Sequence, residues 1–416
     1  MHGAAIFDQY ESKVRSYCRS FPTVFSKAKG AIITAADGRE YIDFFNGAGA
    51  LNYGHNPDAI KQQLVDYLLG DNIIHGLDMM TTAKAQLIET FETQLLAPKG
   101  LDYKIMFPGP TGTNAVEAAL KLARKYTGRR TVWAFMGAFH GMTLGSLALT
   151  TERAARKGGG VPLNDVTHIP APYMFPELDT IEYMETLISD DHSGIEKPAA
   201  LILETVQAEG GVYVLDSEYL RALRDFCTKH EILLIIDDIQ VGCARTGSFF
   251  SFERASIAPD MVCLSKSIGG YGLPFALMLM RPEIDVFDPG EHNGTFRGNQ
   301  LAIVAARAAV EYMQATGVEK MASERGEIIG NYLHQRLDKY GLPVRGIGCI
   351  WGIDMGSDAA SKAVMNASFA HGVIHERAGR DNSVVKLMPS LVIEEELLRK
   401  GLAIVCDQIE QVVAKG

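Results

Sequence analysis

Lys266, in the stretch MVCLSKSIGGY, stands where an apolar run gives way to a glycine-rich turn, and Asp237 closes another apolar run, ILLIID. An amine and a carboxylate at the ends of two neighbouring strands suggest pyridoxal phosphate chemistry. The amine forms a Schiff base with an aldehyde, and the carboxylate keeps a pyridine nitrogen protonated so that the ring can absorb a carbanion's electrons. Ligands of open α/β sheets gather outside the carboxyl ends of the strands, where both residues fall when the apolar runs are read as strands. Neither residue is diagnostic alone, because a lysine after a strand is ordinarily a solvated loop residue.

Other chemistry-bearing residues accompany the pair. The run Pro110, Thr111, Gly112, Thr113, Asn114 opens a helix, and free amides at a helix start beside a small hydroxyl suit a phosphate; an ordinary N-cap would look the same. Phe139, soon after the strand TVWAF, could stack on a planar ring, although an aromatic there is commonly core. Glu204 ends AALILE, and Gln207 and Glu209 run into a glycine pair. Gln240 lies three residues beyond Asp237, within reach of a phenolic oxygen on such a ring, while Asp238 competes for the ring nitrogen. No Walker A lysine follows the helix start, and GIGCIWG near 346 lacks the spacing and context of a dinucleotide fingerprint. Nucleotide binding is therefore disfavoured.

The elements that must hold these residues alternate. From about residue 57 to 300, helices such as TNAVEAALKLARKY and SEYLRALRDFCTKH interleave with strands AALILE, ILLIID, MVCLS and FALMLM, which implies an α/β fold with a mainly parallel sheet flanked by helices. Residues 1–56 are expected to form an arm and short strands around the Asp37–Gly38 turn, residues 57–300 the large cofactor-binding domain, and residues 301–416 a smaller α+β lobe. The glycine-rich NGAGALNYGHNP is either a plain loop or a close backbone approach to a ligand.

Composition narrows the function class. With 47% hydrophobic and 22% charged residues the chain is globular, and a net charge of −10 argues against nucleic-acid or anionic-membrane surfaces. The six cysteines, at 18, 227, 243, 263, 349 and 406, show no zinc spacing and read as buried free thiols in a reducing cytoplasm; no metal site is expected. No targeting signal or membrane-length apolar run is evident.

Six pieces, TGTNAVEAALKLAR, FHGMT, ETVQAEGG, IIDDIQVGCARTG, LSKSIGG and HNGTFRGN, together resemble the class III, ornithine/GABA-type aminotransferases of the fold-type I pyridoxal phosphate superfamily. The resemblance covers nearly the whole chain. Further pieces, RSYCRSFPTVFSKAKG, YIDFFNGAGALNYGHN, GTFRGNQLA and VVKLMPSL, are similar to the diaminobutyrate–2-oxoglutarate aminotransferases of ectoine biosynthesis within that family. The resemblance implies a mixed seven-stranded sheet and ping-pong transfer from glutamate to the terminal carbon of aspartate 4-semialdehyde. It assigns Lys266 to the Schiff base and proton transfer, Asp237 to the pyridine nitrogen, Gln240 to the phenolic oxygen, Phe139 to the ring face, and Gly112 and Thr113 to the phosphate. Thr295 is expected to reach the phosphate of a partner subunit, giving a homodimer or higher homo-oligomer, and Glu204 and Glu209 match conserved glutamates on the substrate side. Two positions depart from the pattern. Lys386 stands where the family carries a carboxylate-binding arginine that Glu209 would hold, and is expected to be a movable cation that binds substrate carboxylates, the alternative being a strand residue facing solvent; Met142 follows FHG where some members have arginine. Activity on ornithine, GABA, a diamine or siderophore-route diaminobutyrate, and a semialdehyde mutase, are the alternatives.

Overall fold

The structure, a computed structural model, describes residues 5–415; the first four residues of the expected N-terminal arm and Gly416 lie outside the described residues. Strands β1 (Phe25–Lys29), β2 (Ile32–Ala35) and β3 (Glu40–Asp43) form an antiparallel meander. Ahead of them the expected arm holds two short helices, Ala5–Tyr10 and Tyr17–Ser20.

The main layer begins with β4 (Lys104–Met106), α1 (Gly112–Thr127), β5 (Val132–Phe135), β6 (Val166–Ile169) and β7 (Ala200–Leu203). It continues with α2 (Ser217–Lys229), β8 (Leu233–Asp237), β9 (Met261–Leu264) and β10 (Leu277–Met280). The seven strands run in the order β4–β10–β9–β8–β7–β5–β6, and β10 alone is antiparallel to its neighbours. β8 is apolar on both faces up to Asp237 and buried throughout, as a central parallel strand covered by helices must be. Each buried Leu or Ile there stabilises by about 1.5–3 kcal/mol and so fixes where the strand delivers its last side chain.

α1 buries Ala115, Val116, Ala119, Leu120 and Ala123 at helical spacing, and ends on Gly128 at φ 69°, where a left-handed conformation suits glycine. It starts at extended Thr111, whose amide donates to Asn114 Oδ1 at 3.3 Å. After α3 (Gln300–Thr316), the strands β11 (Val344–Ile347), β12 (Ile350–Asp354), β13 (Val373–Ile374), β14 (Glu376–Ala378) and β15 (Val384–Leu387) precede the closing helix α4 (Glu395–Val413). β11–β12–β15–β14 make one antiparallel sheet, whereas β13 adds in parallel to β3. Lys386 on β15 lies in register with Glu376 on one side and Gly352 on the other. No helix among the described residues is long and apolar enough to cross a membrane. Five cysteines are buried free thiols as expected, but Cys18 is exposed.

Candidate active site

Asp237 and Cys263 are register partners, so β8 and β9 end level and Lys266 follows two residues beyond the end of β9. Lys266 opens a short 3-10 turn at φ 52°, a strained backbone for a residue with a side chain. The turn is over-determined. Ser265 Oγ donates to Phe275 O at 2.7 Å and Ser267 Oγ to Gly49 O at 2.7 Å, and a Cβ on Gly270 would meet Ala305 O of α3 at 2.3 Å. The Lys266 side chain is half-buried and enters none of the hydrogen bonds or ion pairs among the described residues. Burial lowers its ammonium below the ordinary lysine value, with Glu209 opposing and Lys386 reinforcing the shift.

The amine opens into a cleft of about 1360 Å³ that Ala48, Phe139, Glu209, Glu376 and Arg380 also line. Asp237 is 4% exposed; its Oδ2 lies 2.7 Å from His140 Nδ1 and its Oδ1 accepts the Ile239 amide at 3.2 Å. Burial opposes protonation of His140, yet the hydrogen bond and charge of Asp237 outweigh it and hold the imidazole above its ordinary value. Asp238 lies on the other side of the chain. Its Oδ2 accepts the Ser251 amide at 3.0 Å, and burial pushes its carboxyl up to about 7. Successive residues of a strand point to opposite faces, which separates the two aspartates.

At the start of α1 the amides of Gly112 and Thr113 have no acceptor among the described residues, and Thr113 Oγ1 hydrogen-bonds the hydroxyls of Thr143 and Ser146. A Cβ on Gly112 would meet Ile239 Cδ1 at 2.9 Å, and one on Gly141 would meet Thr113 Oγ1 at 2.8 Å, so only glycine keeps this corner open. Unfilled amides, a hydroxyl and a helix start are the donor set a phosphate ester requires. Phe139 is half-buried in the cleft wall, its amide donating to Glu204 Oε1 at 3.0 Å.

Several expected substrate residues are placed differently. Glu204 does not line the cleft: its other oxygen accepts the Ala208 amide at 3.2 Å, and burial pushes its carboxyl up to about 7. Glu209 does line it, carried by a hairpin of residues 206–207 and 213–214. Its Oε1 accepts Lys386 Nζ at 2.5 Å and Gln240 Nε2 at 3.1 Å, and Gln240 Nε2 also donates to Ala48 O at 2.9 Å. Lys386 is fully buried, 3.0 Å from Glu376 Oε2 as well. A solvent-facing strand position is thereby excluded, and the lysine is bound by two carboxylates where one was expected. Glu376 Oε1 accepts the Tyr17 hydroxyl at 3.1 Å. Thr295 is exposed and Met142 is 56% exposed, and neither lines the cleft of its own chain.

His140, Glu376, Tyr17 and Arg380 were not singled out in the sequence. His140 sits inside the FHG piece next to Phe139, where a histidine beside a ring-binding aromatic was a usable signal. Glu376 and Arg380 offered none, since Glu376 acquires its place only through the register of β14 with β15 and Arg380 lies in the short turn that follows β14.

A sheet of this order, with a free lysine beyond one strand end, a buried aspartate beyond the next and an anion-ready helix start, defines an aminotransferase of fold-type I. Residues 15–410 match the family Aminotransferase class-III, and the chain belongs to that family. It is 51% identical over 412 residues to the diaminobutyrate–2-oxoglutarate transaminase of Halalkalibacterium halodurans, covering 98% of this chain and 96% of that one. The enzyme of the same name from Nocardia farcinica is 50% identical over 98% of this chain and 94% of its own. Among solved structures, an aminotransferase of Bacillus anthracis superposes with a TM-score of 0.89 at 23% identity, over 98% of this chain and 97% of that one. The ornithine aminotransferase of Toxoplasma gondii, crystallised with partial occupancy of PLP at its active site, superposes with a TM-score of 0.85 at 25% identity, over 99% and 94%.

Proposed function

We propose that the chain is a pyridoxal phosphate transaminase interconverting L-glutamate and L-aspartate 4-semialdehyde with 2-oxoglutarate and L-2,4-diaminobutyrate, in the service of ectoine biosynthesis. The observation that carries the reading is the uncommitted Lys266 amine in the cleft, one strand away from the His140-braced Asp237. The substrate pair follows from relatives at about half identity over nearly full length.

Gly112 and Thr113 would hold the cofactor phosphate, Phe139 one ring face, Asp237 the ring nitrogen and Gln240 the phenolic oxygen. Once bound, the cofactor supplies an aldehyde that condenses with primary amines and a ring that takes up the electron pair left when a carbon-bound proton departs. Lys266 would hold the cofactor at rest and, once its amine is free, would take that proton and return it; burial favours the neutral amine this task needs. His140 braces the Asp237 carboxylate through the 2.7 Å contact and would thereby keep it ready for the ring nitrogen.

The carboxylates are held by Arg380 in this reading. Its guanidinium is in no ion pair among the described residues, lies 5.8 Å from the centre of the Tyr173 ring and faces the cleft. Lys386 is committed to two glutamates, and drawing a buried cation from its partners costs about 3–5 kcal/mol. It therefore sets charge in place instead of swinging to substrate.

A homodimer and a cytoplasmic location belong to the same proposal. Exposed Thr295, beside Phe296 at 65% exposure, would reach a neighbour's phosphate site, and buried free thiols suit a reducing compartment. A coupled assay of purified protein with glutamate and a panel of ω-aldehydes tests the function. Preference for aspartate 4-semialdehyde and loss of visible absorbance and turnover in Lys266→Ala are expected; an unchanged spectrum in that variant would refute the site.

A further inference from the structure

We propose that Glu376 recognises the second ammonium of the amine substrate and so separates 2,4-diaminobutyrate from 4-aminobutyrate. This rests on the diaminobutyrate reading and names the residue behind its selectivity. The two amines share a reacting terminal amine and a carboxylate, and differ only in the ammonium on C2. A site built to pair with a polar group rejects an analogue lacking it far more strongly than an apolar pocket can. Selectivity therefore calls for a buried acceptor in the cleft.

The cleft contains four acidic residues, of which Glu152 and Asp381 are exposed. Glu209 pairs with both Lys386 and Gln240. Glu376 is less heavily engaged. It lines the cleft at 7% exposure; its Oε2 is buried 3.0 Å from the Lys386 Nζ it shares with Glu209, and its Oε1, which receives a single hydrogen bond from Tyr17, is the oxygen left to accept another donor. Charge counting agrees with the geometry. Glu209, Lys386 and Glu376 bring two carboxylates against one ammonium, and Lys266, the next amine, is occupied by the reaction. Burial pushes the Glu376 carboxyl upward, with Lys386 only partly offsetting it. An arriving ammonium supplies the missing positive charge where water cannot. Glutamate places its ammonium on the reacting carbon and a carboxylate at its far end, so it gains nothing from Glu376 and uses Arg380.

The experiment compares kcat/KM for 2,4-diaminobutyrate, 4-aminobutyrate and glutamate in the holoenzyme and in Glu376→Gln. Loss of a charge-assisted contact should lower the diaminobutyrate value roughly ten-fold or more while the other two move less than about three-fold. Calorimetric binding of diaminobutyrate to the pyridoxamine phosphate form, where no transfer can occur, should weaken by a similar factor. A second measurement uses the wild type alone: 2,4-diaminobutyrate acetylated on its C2 nitrogen should be no better a substrate than 4-aminobutyrate. Equal slowing of all three substrates in Glu376→Gln, or an acetylated compound as good as the parent, would overturn the proposal. A wild type that ignores diaminobutyrate but transaminates another amine would overturn the substrate reading with it, and is recognised by that separate result.

Discussion

Replacing Lys386 by methionine keeps a flexible stem of similar volume and deletes the ammonium that sits 2.5 Å from Glu209 and 3.0 Å from Glu376. The lysine is fully buried, so water cannot substitute for it, and breaking such a cluster by removing one partner costs about 3–5 kcal/mol. Neutralising the whole cluster in Glu209→Gln, Lys386→Met, Glu376→Gln should recover most of that, because a buried set without charges carries no unpaired ion. The pH dependence has a definite sign. In the wild type, burial works against Glu209 ionisation but Lys386 outweighs it and holds the carboxyl below its ordinary value; its contribution is present above the unfolded carboxyl pKa and lost as pH falls through the folded one. Without the ammonium, burial holds both carboxyls high, so the variant is penalised as pH rises above the unfolded carboxyl value of about 4.3 and relieved as pH falls back toward it. Urea unfolding of the cofactor-loaded proteins at about pH 7.5 and about pH 5 reads the difference from midpoints at a common slope. A deficit below about 1 kcal/mol at the higher pH, a deficit that does not shrink at the lower one, or a triple variant no better than the single one would refute the charge argument.

His140→Phe removes the donor 2.7 Å from Asp237, a charge-assisted bond of about 1.5–3 kcal/mol, so kcat and cofactor retention should fall roughly ten- to hundred-fold with KM little changed. Partial rescue in His140→Asn distinguishes orientation from mere packing, and a phenylalanine variant with wild-type cofactor affinity and kcat would dismiss the role. For the shared site, mixing inactive Lys266→Ala and Thr295→Ala subunits should restore activity, since one site of the mixed dimer then holds both intact residues; no recovery despite proven subunit exchange would count against it.

The parts of the molecule legible in its sequence are those whose residues state their environment locally. LLIID and MVCL are apolar on both faces and can only be central strands, and the helix from Gly112 declares itself by buried alanines and leucines at helical spacing. β4 and β6 escaped notice because three or four half-buried residues at a sheet edge carry little pattern. The direction of β10 escaped too: an apolar run has no polarity, although its short link from β9, without a helix, was a hint against a parallel crossover. Lys266, Asp237, Gly112 and Phe139 were legible as residues at element ends. The partners that tune them were not, because His140 lies 97 positions from Asp237 and the Lys386 clamp depends on a cross-strand register that no local pattern encodes.

Tyr17 and Glu376 touch across 359 positions of chain, and β3 finds its parallel neighbour β13 across a similar span. During synthesis the first strands therefore leave the ribosome and wait for an edge that does not yet exist, roughly 20 to 70 seconds at ordinary elongation rates. The seven-stranded sheet, complete by Met280, can form in that interval, but the corner of the cleft where Tyr17 meets Glu376 cannot. A nascent chain released before residue 373 should carry a formed Lys266 turn beside an unpaired β3 edge, the kind of exposed template that chaperones must cover. The corner of the cleft proposed to read the substrate's second ammonium is thus the last part of the site to form.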